Sequence, residues 1–484
     1  MGFALLLLAM LGPAWFRGGN SPLALALFQL ITALGFTALA LGLRRRMPAA
    51  LRVAVALWLA WLAWLLLQCL PLSPALLARW SPAALADHAA ADSLGAPAWY
   101  SLSVMPGASI EGLVRSLFYF GLYLGLALAL DSRARLRALL LLATATIGGH
   151  AVVAAANSLG GLALPVPGWN VSEQGIASGG FINRNHFAAY LVLGACLAIA
   201  AMLGQSQSTP AWASRSRRLG DFLVSPYLLL RVLLLAIVVG VVLSRSRMGN
   251  ITLAIALSVY ATAWALSTRR ITSLLRAGLF FALIAAVDVA LISERYGLEQ
   301  VLERIEETDL NRETRPEALR LGVDIFHQYR WTGAGLGSYA ALQERHKPDS
   351  DFPYYDHAHN DYVEFGIEVG GIGLALLGLM VGYHLLLALR SLGGRDPLHR
   401  ACAAAALAGV SAAAVHALTE FNLQILGYVS VLLGLLAMLP RLSGGTLQVR
   451  RRPPASVAPP PASESSADSG RSRPRPAPAP AAAG

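Results

Sequence analysis

The chain has 484 residues, 56% of them hydrophobic and only 13% charged. Soluble domains carry about a quarter charged residues, so a soluble core is excluded and lipid must be the solvent. The net charge of +11 is scattered between apolar runs and forms no single stripe, which excludes nucleic acid as the partner.

From the N-terminus onward, apolar runs long enough to cross roughly 30 Å of hydrocarbon alternate with arginine clusters or Gly/Pro turns. They predict an all-α polytopic membrane protein with twelve spans, near 2–16, 22–43, 51–70, 114–130, 137–157, 186–204, 224–243, 249–267, 273–292, 361–387, 400–419 and 422–440. The count is eleven if the short first run does not cross. That first run lacks a basic leader and reads as a helix rather than a cleaved signal peptide. Met1-Gly2 lacks the Ser or Thr that myristoylation needs. Cys69, Cys196 and Cys402 lie in or beside apolar runs, as small core residues without a disulfide or metal pattern.

Alternate connections carry Arg44–Arg45–Arg46, then Arg133/Arg135/Arg137, Arg215/Arg217/Arg218, Arg269/Arg270 and Arg390/Arg395/Arg400, and Arg450–Arg451–Arg452 open the tail. The positive-inside rule places all of these, and both termini, in the cytoplasm. On the outer face two long segments follow, 71–113 and 293–360. The second holds most of the acidic residues, and its charged helical spacing predicts a pair of amphipathic helices on the membrane surface. Residues 445–484, rich in Pro, Ala, Ser and Arg, should be a disordered cytoplasmic tail.

Four polar constellations fall on the outer side. GGFINRNHFAAY, Gly179 to Tyr190, opens a span with Asn183, Arg184, Asn185 and His186. LSRSRMGN, Leu243 to Asn250, sets Arg245 and Arg247 in a tight turn at membrane depth, where arginine is expensive and its planar donors suit phosphate. The stretch from Glu313 to Tyr339 offers Arg315 and Arg320 near Arg312, then a turn with Gly333, Gly335 and Gly337 that is not a Walker loop. YYDHAHNDYVEFGIEVGGIG, Tyr354 to Gly373, gathers His357, His359, Asn360, Asp361 and Glu364, with Asp361, Glu364 and Glu368 on one helical face. A histidine near a carboxylate is a candidate base. His357-x-His359 also has the spacing of a metal dyad, but no third ligand is evident and no metal is expected. Several arginines and a histidine at an outer bilayer surface suggest a lipid-linked pyrophosphate substrate.

These elements resemble the O-antigen ligase/polymerase superfamily, which includes Wzy-type polymerases and WaaL-type ligases. His359-Asn360, nine residues and then Gly370-Gly371-Ile372-Gly373 match its His-Asn…Gly-x-x-Gly signature. LSRSRMGN resembles its Ser-Arg-Gly element, with Arg247 on the key arginine and Met248 where Gly is usual. TRPEALRLGVDIFHQYRWTGAGLGSY resembles its Arg…Pro-x-x-Gly-x-Gly element, with Arg315 on the arginine and Arg330 where Pro is common. GGFINRNHFAAYL resembles the Asn-rich element opening a middle helix. The resemblance covers residues 175–440, preceded by N-terminal helices over 1–174 and followed by the tail.

It implies a GT-C-like fold in the bacterial inner membrane, with the active face periplasmic. It further implies metal-independent, inverting, cofactor-free transfer of a glycan from undecaprenyl pyrophosphate to an acceptor hydroxyl, most simply to polymerise surface polysaccharide. The alternative acceptor is lipid A-core, as in a ligase. In this scheme Arg247 and Arg315 hold the pyrophosphate, His359 deprotonates or orients the acceptor, and Arg245, Arg320, Asn185 and Asn360 complete the substrate-binding set. A chain-length regulator and a flippase are the implied protein partners. A transporter of small anions or sugars is the competing class. It would need ionisable residues at mid-membrane, whereas the spans carry few, chiefly Asp288 and His416.

Overall fold

The structure is a computed structural model that describes residues 1–41, 47–92, 100–160, 175–204, 227–269, 315–348 and 352–443. The helices in chain order are α1 Gly2–Leu11, α2 Pro22–Ala40, α3 Ala49–Cys69, α4 Pro74–Trp80, α5 Pro82–Asp92, α6 Pro106–Ala129, α7 Arg133–Gly160 and α8 Arg184–Leu203. Then follow α9 Tyr227–Leu243, α10 Arg247–Thr268, α11 Arg315–Tyr329, α12 Tyr339–His346, α13 Asp361–Leu392, α14 Pro397–His416 and α15 Leu426–Leu442. No strand occurs among the described residues.

Eight of these, α2, α3, α6, α7, α8, α10, α13 and α14, are long and apolar enough to cross a membrane, and α1, α9 and α15 are shorter apolar helices. The chain is an all-helical polytopic membrane protein. The expected spans each find a helix except the one near 273–292, which lies outside the described residues together with Asp288, Arg312, the side chain of Arg315, the start of the second outer segment and the tail.

Helix starts follow local chemistry. Ser21, Asn183, Ser246, Asn360 and Asp396 accept hydrogen bonds from the first turn of their helices, and proline opens α2, α6 and α14. Helix α6 begins at Pro106, eight residues before its apolar run. Its first turns carry Ser109, Glu111 and Arg115, polar groups that a hydropathy window scores as loop. The segments expected on the outer face are helical in much of their described length: α4 and α5 in the first, α11 and α12 in the second. Asp87 of α5 joins them, accepting from the Tyr329 hydroxyl and pairing with Arg345.

Helix α8 is buried along most of its length and packs on α7, α9, α10 and α14, while α6 packs on α1, α2, α3 and α15. Helix α13 packs on α3, α11, α14 and α15 and is broken at Gly370, whose φ of 66° is left-handed. The turn after α11 plugs the break. Gly371 and Ile372 donate to Arg330 and Trp331 carbonyls, and Ala334 and Gly335 donate to Ile367 and Glu368. Trp64 and Gln68 of α3 supply side-chain donors to Val369, Glu368 and Thr332 carbonyls. Irregular backbone at membrane depth survives only when its polar groups are paired by protein in this way. Gly333 and Gly335 make this tight turn possible, with φ of 70° and 98°, and leave room for the backbone of α13 to lie against it.

At one end of the bundle Arg133, the first residue of α7, pairs with Asp396 before α14 at 2.9 Å. Helix α14 then runs 20 residues, about 30 Å at 1.5 Å per residue, to the end where the candidate site forms.

Candidate functional site

The N-terminal ends of α8, α13 and α15 converge on the segment that follows α14. Asn360 caps α13, accepting from Tyr362 and Val363 at 3.0 and 3.2 Å, and donates to the Leu418 carbonyl at 3.0 Å. The Asp361 amide donates to the Ala417 carbonyl, and the Leu423 amide donates to the Asp361 carboxylate. Asn360, expected to bind substrate, therefore has both ends of its amide engaged in holding the fold.

His359 precedes this cap with φ at 47°, a left-handed conformation uncommon outside glycine. Its Nδ1 lies 3.5 Å from Glu420 Oε2, an ion-pair contact too long for a full hydrogen bond. The ring is about one-fifth exposed and Glu420 is almost wholly buried. Glu420 accepts from Asn185 at 2.5 Å and from Asn183 at 3.4 Å. The Asn-rich opening of α8 therefore reaches His359 through Glu420. Burial alone would raise the Glu420 carboxyl, but the His359 contact, the neighbouring His186 and the Asn185 hydrogen bond hold it below its ordinary value.

A second histidine–carboxylate pair stands beside the first. His357 Nδ1 meets Glu364 Oε1 at 2.7 Å, and the other Glu364 oxygen accepts from the Ala358 amide. Burial disfavours charge on His357, but the Glu364 hydrogen bond and charge outweigh it and raise the pKa above the usual histidine value. Phe421 stacks on His357 at 4.0 Å and meets His359 and His186 edge-on at 5.1 and 4.5 Å. One aromatic ring thus spaces three imidazoles. His186 in turn pairs with Asn422 at 2.7 Å.

Glu420, Phe421 and Asn422 were not singled out by sequence reasoning. They fall where two apolar runs nearly touch, at the expected gap between 419 and 422. The connection instead spans 417–425, and the polar Thr419-Glu420-Phe421-Asn422 between apolar stretches was the available signal. The expectation that Asp288 and His416 are the chief ionisable residues within spans also fails. His150, His186, Glu364, Glu368 and His384 are buried inside α7, α8 and α13, where apolar neighbours mask them in a hydropathy average.

Arg247 is the first residue of α10, exposed, and makes no hydrogen bond or ion pair among the described residues. Arg245 sits in the preceding turn with φ at 52°, its guanidinium against Gly175. Gly249 packs on Ala188 of α8, one turn from Asn185, so this arginine turn shares the His359 end of the bundle. The Ala177 amide bonds to the Leu243 carbonyl, and His150 accepts from the Gly180 amide at 2.8 Å, fixing the loop before α8. Arg320 is exposed on α11, the helix that packs on α13. Arg315 opens the same helix, but its side chain lies outside the described residues. Among the described residues no group of three or more His, Cys, Asp or Glu side chains is arranged to hold a metal.

On the other side of His357 lies a cavity of about 420 Å³ between α3, α6, α12, α13 and α15. Arg115, Asp356, His357, Glu364 and Glu368 line one end, and Tyr123, Met380, His384 and Leu433 the other.

Residues 232–378 match the family model for O-antigen ligase. His357, His359, Asn360, Arg245, Arg247 and Arg320 fall inside the matched segment; Asn185 and Glu420 fall outside it. No curated protein matches the chain.

Proposed function

We propose, from the match of residues 232–378 to the O-antigen ligase family model, that the chain is a member of the O-antigen ligase/polymerase superfamily and transfers a glycan from a lipid-linked pyrophosphate to an acceptor hydroxyl. The observation that carries this reading is the pairing of His359 with Glu420 at the bundle end that also holds Arg245 and Arg247.

In the proposed reaction the acceptor oxygen attacks the anomeric carbon and its proton passes to His359 Nε2. Glu420 faces Nδ1, orienting the ring and balancing the charge the imidazole gains. The bond from the anomeric carbon to phosphate oxygen breaks, and the pyrophosphate leaves with the electron pair. The exposed Arg247 would offset that charge together with Arg245, Arg315 and Arg320. The active face is periplasmic and both termini cytoplasmic in this reading, because among the described residues Arg133 and Arg135 of α7 and Arg400 of α14 lie at the end of the bundle opposite His359.

Polymerisation of repeat units is the preferred reaction. Transfer to lipid A-core is the second, favoured by the description of the matched family as O-antigen ligase. The test is to express His359→Ala and Arg247→Ala in membranes of a deletion strain, and to measure polymer length, lipid-A-linked glycan and lipid-linked donor. Loss of the general base should slow transfer by about 10²–10⁴-fold, with donor accumulating. Unchanged glycan in both variants would sink the mechanism, and the product that disappears decides between the two acceptors.

A further inference from the structure

The cavity beside His357 has no role in the transfer as derived above. Its polar end is set by Arg115 of α6, which sequence reasoning passed over as a span boundary. The Arg115 Nε is shielded from solvent and has no hydrogen-bond partner, and among the described residues no carboxylate pairs with this guanidinium. The acids around it make no hydrogen bond or ion pair with it among the described residues. Glu364 uses one oxygen on His357 and the other on the Ala358 amide, Glu368 accepts from the Tyr339 amide through Oε1 while its Oε2 is buried without a partner and interacts with Arg115 only as a charge at a distance, and Glu111 and Asp356 are exposed. A cation within a membrane helix is expensive and is ordinarily matched by an anion. A guanidinium with open planar donors matches phosphate.

The rest of the cavity is apolar and runs toward the middle of α13. Leu377, Met380 and Val381 form one wall, Leu433 and Leu436 of α15 the other. From Gly371, just below the break, to Val381 is about 15 Å along the helix. Val381 lines the cavity yet is 38% exposed on the bundle surface, so the cavity opens sideways between helices. A volume of about 420 Å³ is that of a single small-ligand site. A phosphate-matching group at one end, a long apolar slot and a lateral opening together fit one chain with an anionic head.

We propose that this cavity is a second lipid site, in which one acyl or isoprenoid chain lies between α13 and α15 with its phosphate on Arg115. It is separate from the arginine turn before α10. Helix α6, which carries Arg115, packs on α1, α2, α3 and α15, whereas α10, which opens at the arginine turn, packs on α8, α9, α13 and α14. The site stands whether or not the chain transfers glycans.

The test uses the purified, delipidated full chain in maltoside micelles, titrated with one lipid at a time and read by native mass spectrometry. The probes are dioleoylphosphatidylglycerol, a polyprenyl monophosphate, and dioleoylglycerol, which has the same chains without the phosphate. The expected result is one phosphate lipid retained per chain, well above dioleoylglycerol. Arg115→Gln should weaken retention about tenfold, and Leu433→Trp, which fills the slot, should abolish it. Leu436→Phe is a milder filling should Leu433→Trp not fold. Retention of phosphatidylglycerol identifies bulk membrane lipid as the occupant, and retention of polyprenyl phosphate alone identifies a carrier lipid; either upholds the site. Equal binding of dioleoylglycerol, or unchanged retention in Arg115→Gln and the filled variants, overturns it.

Discussion

His359 holds a left-handed backbone, and asparagine is among the few residues that adopt it readily. His359→Asn is therefore a cleaner probe than alanine, since it removes the base and keeps the turn. Glu420→Gln keeps the size of the side chain and one acceptor oxygen for Asn185, gives up the weaker 3.4 Å contact from Asn183, and removes the charge facing Nδ1. It should slow transfer roughly tenfold, the difference between a charged and a neutral hydrogen-bond partner, with Glu420→Asp recovering part of the rate. Both are measured as glycan formed per unit of membrane protein. A different sensitivity belongs to His357. Its folded pKa is raised, so its pair with Glu364 stabilises fully below the unfolded histidine value of about 6.5 and fades as pH rises through the folded value. His357→Gln should accordingly lower the melting temperature of the detergent-solubilised protein more at pH 6 than at pH 9. An equal loss at both pH values would contradict the pairing.

At the scale of elements, the break in α13 is the feature most open to attack. A methyl at Gly370 would lie 2.4 Å from the Gly333 nitrogen and the Trp331 carbonyl oxygen, and φ there is 66°. The left-handed conformation alone costs about 1–2 kcal/mol for an L-residue, and the overlap adds to it. Gly370→Ala should lower thermal stability by at least that much. Gly378→Ala, with open space around its Cβ, serves as the control and should change stability by less than about 0.5 kcal/mol. The apolar helices were legible in the sequence because hydrophobicity over a bilayer-length window is a local property. The His359 turn was legible because His, Asn and acidic residues cluster there in the chain. Glu420 was not, because it meets His359 only after α13 and α14 have doubled back, and it sits alone between apolar runs. Arg115 was missed for the converse reason: a charge near a span edge reads as the edge.

For the whole molecule, the site is assembled from remote pieces. Asn185 meets Glu420 across 235 residues, and neither lies in the segment 232–378 that matches the ligase family. A chain ending after α13 would retain the match and lose Glu420, Phe421 and the α14–α15 pair. It should insert in the membrane and form no glycan product, and co-expression of the missing C-terminal fragment should restore product. Product from the truncated chain alone would show that Glu420 is dispensable.

The plug at Gly370 has a mechanical consequence. Above it, the short stretch that carries Glu364 and follows His359 is fastened at its start to the Ala417 carbonyl and at its end to the turn after α11. Below it, the long remainder of α13 shows lipid-facing side chains such as Leu379, Leu386 and Leu389. A helix that spans without interruption answers a thicker or thinner bilayer by tilting as one rod. Here the break divides the helix, and the turn after α11 clamps both sides of it, so a tilt of the lower rod is taken up at the plug before it reaches the stretch that holds His359 in register with Glu420.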